Sequence, residues 1–118
     1  MPELGLDFET RGIVDLRRSG AHRYAVDADA DVLCAAFAKD DAPVESWVRG
    51  TPCPEVIIRA VADGWTIHAF NANFERLIWH YLLTPRYGWP EPHLDQWRCS
   101  QLLDSIHIFI LLWLMLFA

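Results

Sequence analysis

Sulfur chemistry has little foothold in this sequence. Cys34, Cys53 and Cys99 are odd in number and far apart, with no C-x-x-C pair. That excludes a disulfide framework and a zinc ribbon, and it suits a reducing, cytoplasmic setting. No secretory leader is expected either, because Met1 to Phe8 carries acids and lacks a basic flank ahead of an apolar core. Internal repeats and low-complexity linkers are missing, so the 118 residues, 53% of them hydrophobic, are expected to build one small domain around a single core.

Positive charge is also scarce. Ten Lys and Arg stand against sixteen Asp and Glu, a net charge of −6, so the surface as a whole has no attraction for a phosphate chain. Binding of nucleic acid would have to be local. Two devices could supply it: divalent cations held on carboxylates, or the basic stretch Arg11, Arg17, Arg18, His22 and Arg23. A long hydrophobic run is present only at the end. Residues Ile106 to Ala118 read IHIFILLWLMLFA, yet as a helix they would reach only about 20 Å across a hydrocarbon layer of about 30 Å. No stable membrane span is expected.

What the sequence does contain is an alternation of strand and helix signals. From Glu3 to Glu9, Leu4, Leu6 and Phe8 fall on one face and Gly5, Asp7 and Glu9 on the other, the period of a half-buried strand. Asp31 to Ala38 is a short apolar run, and Asp40-Asp41-Ala42-Pro43 turns it toward Val44 to Val48, a hairpin. A helix is expected from Pro54 to Asp63, closed by Gly64. Trp65 to Phe70 reads as a strand, with Phe70 packed in the core. Asn71 or Asn73 then caps a helix whose apolar positions are Phe74, Leu77, Ile78, Tyr81 and Leu82, ended by Pro85. Asp95 to Leu103 is helical or mixed. The fold class expected is α/β with a mixed sheet and flanking helices.

The chemistry rests on acids. Residues i and i+2 of a strand lie about 6.6 Å apart on one face, so Asp7 and Glu9 could share a divalent ion or bracket two. Glu75, in the first turn of the later helix, would sit at the mouth of the sheet. Other candidates fall away. Asp27, Asp29 and Asp31 begin like a calcium loop, but Val32 and Ala38 stand where glycine and glutamate are needed. His68, His80 and His93 have no partner at metal-ligand spacing. The tryptophans, including Trp79, Trp89 and Trp97, are mostly expected in the core, with Trp89 the one most open to base stacking.

Leu6-Asp7-Phe8-Glu9-Thr10 resembles the first motif of the DEDD-superfamily 3′-5′ exonucleases, which have a ribonuclease H-like fold, and Asn71-Ala72-Asn73-Phe74-Glu75 resembles the second. The wider stretches LDFETRGIVDLRRSGAHRYA and NANFERLIW are similar to the exonuclease region of phage-type family A DNA polymerases, over about Leu4 to Cys99. The resemblance implies that Asp7, Glu9 and Glu75 hold two magnesium or manganese ions and serve as catalytic carboxylates. It also implies that Thr10, Asn71 and Phe74 position the 3′ end of single-stranded DNA, with a polymerase domain in the same chain.

Two departures matter. Glu75 stands where the superfamily usually has Asp, and the third motif, Tyr-x-x-x-Asp or His-x-x-x-x-Asp, is missing, since after Asp95 the only acid is Asp104. The expectation is therefore a partial exonuclease domain over residues 1–101, truncated before the third motif, binding metal weakly and hydrolysing DNA slowly or not at all. Residues 102–118 form an atypical apolar tail. The alternative reading is a non-catalytic interaction or membrane-surface module acting through that tail.

Overall fold

A computed structural model describes residues 2–12 and 16–99, with backbone alone at 17 and 19. Five strands form one mixed sheet in the order β3, β2, β1, β4, β5. The central strand β1 (Glu3–Arg11) pairs antiparallel with β2 (Asp31–Lys39) and parallel with β4 (Thr66–Ala69). β3 (Glu45–Val48) completes the hairpin on one side, and β5 (Trp97–Cys99) runs parallel to β4 on the other. This is the α/β class expected, compatible with a ribonuclease H-like sheet.

The alternation in β1 works as its period requires. Leu4, Leu6 and Phe8 are buried, whereas Asp7 and Glu9 are only partly covered. The hairpin and α2 (Glu55–Ala62) also follow their sequence signals, with Pro54 as N-cap and Ile57 and Ala60 buried. α3 (Ala72–Ile78) starts where Asn71 accepts a hydrogen bond from the Phe74 N–H at 3.3 Å.

The end of that helix differs from expectation. Pro85 does not terminate it: a π-helical turn, Trp79–Leu83, leads into α4 (Thr84–Tyr87), and the helix stops at Gly88 in the left-handed conformation. Pro85 falls in the first turn of α4, where its missing N–H removes no bond that the helix needs. Two elements were not anticipated. One is α1 (Leu16–Val26), kinked at Gly20. The other is β5, which follows a 3₁₀ turn at Leu94–Gln96. Gln96 is buried there, and its amide donates to the carbonyls of Ala60 and Trp65, tying β5 to the α2–β4 corner.

The core is aromatic. Trp47, Trp79 and Trp89 are fully buried, and Trp89 meets Trp47 at 5.1 Å, Trp79 at 5.2 Å and Phe8 at 6.1 Å, all edge to face. Trp89, the loop tryptophan considered for stacking on bases, is thus a core residue. Phe70 is the reverse case: expected in the core, it is 45% exposed at the end of β4, because the strand ends at Ala69 and the chain turns outward to the α3 cap. Among the described residues no helix is long and apolar enough to cross a membrane. The apolar tail, residues 102–118, and the last part of the segment expected from Asp95 to Leu103 lie outside the described residues.

Candidate metal and nucleic-acid site

The site begins with a mismatch of strand lengths. β1 pairs with β2 as far as Arg11, but its pairing with β4 ends at Gly5 opposite His68. Beyond Gly5, α3 takes the place of a strand. Its Glu75 reaches β1, where its side chain is hydrogen-bonded to that of Asp7 and accepts the backbone N–H of Phe8. Only 5% of Glu75 is exposed. Burial pushes its carboxyl well above the usual range, and the charge and hydrogen bond of Asp7 push the same way; the Phe8 N–H opposes them. Two carboxyl groups in such contact cannot both ionise cheaply, so they hold a proton between them.

Glu9 lies two residues along β1 on the same face, partly covered, opposite Cys34 of β2. The Cys34 thiol is pushed up by burial first, then by the charges of Glu9 and Asp7, so both carboxylates bear on one small region. Immediately after Glu9 the register slips: Glu9 faces Cys34 but Thr10 faces Val32, a bulge of the kind that re-aims side chains beside functional sites.

Magnesium and manganese take oxygen ligands, and the donors suit them. Asp7 and Glu75 bring two carboxyl groups together, and Oε2 of Glu75 is buried with no hydrogen-bond partner, an atom a cation would satisfy. Among the described residues no group of three His, Cys, Asp or Glu side chains is close enough to hold an ion jointly. What fits is one ion on the Asp7 and Glu75 carboxyls, with Glu9 as a neighbouring charge.

The remaining residues singled out in the sequence lie close to this pair along the chain, on β1 and at the start of α3. Thr10 is half-buried at the end of β1, and its hydroxyl shares a 3.1 Å hydrogen bond with the Tyr24 hydroxyl. Asn71 is exposed and caps α3, and Phe74 is half-buried with its ring 5.8 Å from that of Tyr24.

The chain is similar to part of a DNA polymerase. It is 33% identical over 107 residues to the DNA polymerase of Bacillus phage SP02, an alignment covering 85% of this chain and 15% of that polymerase. The chain therefore corresponds to a small part of a polymerase's length. No protein-family model matches it, and no solved structure does.

Within this polymerase-related segment, the residue that sequence reading missed is Tyr24. It sits on α1, an element with no clear apolar stripe, and only its place in the basic stretch's neighbourhood could have drawn notice. Arg11, Arg18, His22 and Arg23 of that stretch are solvent-facing. Asp31, set aside as a calcium ligand, anchors a different network: it accepts hydrogen bonds from Tyr87 and from Arg49, each at 2.6 Å, joining β2 to α4 and to the end of the hairpin.

Proposed function

We propose that this chain is a 3′-5′ exonuclease-type module of a DNA polymerase, built to receive the 3′ end of single-stranded DNA at Asp7, Glu9 and Glu75. The observation that carries the reading is the contact of Asp7 with Glu75, two acids 68 positions apart in sequence brought into one hydrogen-bonded pair. A purely structural acid pair buried this way costs stability, which is the signature of a site kept for binding. The similarity to a phage DNA polymerase supports the same class.

In this reading Asp7 and Glu75 hold a magnesium or manganese ion, and Glu9 adds negative charge for a second. Bound there, such ions supply an activated water and stabilise the departing 3′ oxygen. The chain's own residues do the rest. On binding a cation the carboxyls would release their shared proton to solvent, Thr10 and Phe74 would flank the place of the terminal nucleotides, and Asn71 holds the α3 turn that carries Glu75. The polymerase proper, which the relative's much greater length accommodates, would deliver the DNA. Because no Tyr-x-x-x-Asp or His-x-x-x-x-Asp follows within the 118 residues, this chain on its own lacks the last carboxylate and its proton-transfer partner, and hydrolysis is slow.

The test uses a 5′-labelled single-stranded oligonucleotide with manganese. Slow shortening from the 3′ end, or 3′-end-dependent binding without shortening, that vanishes in Asp7→Ala supports the reading. Digestion at the rate of an intact homologous domain contradicts the impairment, and neither digestion nor end-dependent binding contradicts the nuclease assignment.

A further inference from the structure

Tyr24 makes three separate contacts at the edge of the candidate site. Its hydroxyl shares a hydrogen bond with that of Thr10 at 3.1 Å. Its ring lies 5.8 Å from the Phe74 ring, tilted by 40°. The backbone at Gly12 passes so close that a β-carbon there would come within 2.9 Å of the Tyr24 ring. With only 7% of its surface exposed, Tyr24 therefore joins α1, the end of β1 and the first turn of α3 in one locked contact.

The position of this contact matters more than its area. The bulge after Glu9 leaves Thr10 out of the regular alternation, so strand geometry alone does not decide where its hydroxyl points. Phe74 is one residue before Glu75, in the first turn of α3, which is capped by one side-chain bond. Both touch the same tyrosine.

We propose that Tyr24 is a positioning residue that sets Thr10 and Phe74 for the terminal nucleotides of a single-stranded 3′ end. The inference rests on the exonuclease-type reading above. Tyr24 acts through its two neighbours: the shared hydrogen bond fixes which way the Thr10 hydroxyl is turned, leaving its other hydrogen-bonding capacity for a sugar or phosphate oxygen, and the ring fixes the plane of Phe74 for stacking on a base. Glycine at position 12 is required for the brace to close.

The experiment uses the full chain with manganese and a nuclease-resistant phosphorothioate oligonucleotide in linear and circular forms. Fluorescence anisotropy reads the preference for the form that has an end. The wild-type chain is expected to prefer the linear form. Tyr24→Phe keeps the ring and removes the hydroxyl, and it is expected to lose about fivefold of that preference, the usual worth of one hydrogen bond, with affinity for the circle unchanged and the thermal midpoint lowered by no more than about 8 °C. Thr10→Val breaks the same bond and also removes the hydroxyl offered to the substrate, so the double variant is expected to lose no more than Thr10→Val alone. Wild-type preference in Tyr24→Phe, or full additivity in the double variant, overturns the positioning role while leaving the exonuclease reading intact. Equal binding of both forms by the wild-type chain overturns both.

Discussion

Glu75 and Asp7 share a hydrogen bond, one from the first turn of α3 and the other from the middle of β1, and the Phe8 N–H donates to the Glu75 carboxyl, whose Oε2 is left without a hydrogen-bond partner. Such a pair is stable with a proton or a cation between its members and costly with neither.

The pH dependence of stability follows from it. The Glu75 carboxyl holds its proton in the folded chain at pH values where the unfolded chain, near the ordinary value of 4.5, has released it. The folded state then binds more protons, so this group's stabilisation is full below that ordinary value and is lost as pH rises through the raised one. Glu75→Gln cannot ionise and avoids the loss. Thermal unfolding without metal is expected to show Glu75→Gln melting higher than wild type by about 4 °C or more near pH 8, with the gap narrowing toward pH 4.5.

Asp31 has the opposite sign. Burial raises its pKa, but hydrogen bonds from Tyr87, Arg49 and the Val32 N–H together outweigh burial and hold the carboxyl below its ordinary value of 3.8. Its stabilisation is therefore present above that value and lost as pH falls through the lowered one. Arg49 is 41% exposed, so screening limits the gain, and Asp31→Asn is expected to cost about 1–2 kcal/mol at neutral pH. Denaturant titrations at neutral and acid pH would show the cost shrinking in acid.

Trp89 holds the aromatic core under β1. Trp89→Ala is expected to destabilise the chain by about 3–5 kcal/mol. Trp89→Phe is expected to cost less than half as much, since the Trp89 Nε1–H is buried with no partner and its removal relieves an unsatisfied donor. Urea unfolding followed by tryptophan fluorescence measures both.

Much of this arrangement could be read from local patterns. The alternation in β1, the Pro54 and Asn71 helix starts and the hairpin turn each have a short-range cause; the period of β1 puts Asp7 on its less covered face, and the Asn71 cap puts Glu75 in the first turn of α3. What escaped notice depends on distant partners. α1 is polar and kinked, and among its described side chains Tyr24 and Ala25 are the buried ones. β5 is three residues long and exists through pairing with β4. Phe70 was assigned to the core by its residue type, whereas its place after the last paired residue of β4 leaves it exposed. The π turn that lets the chain continue past Pro85 has no sequence signal of its own.

Calorimetric titration of the purified chain with manganese tests the central claim most directly. Saturable binding with proton release, weak in the wild type and abolished in Asp7→Ala and in Glu75→Ala folded as judged by circular dichroism, is the predicted result. Binding that survives both substitutions, or no saturable binding to the wild-type chain, would contradict it.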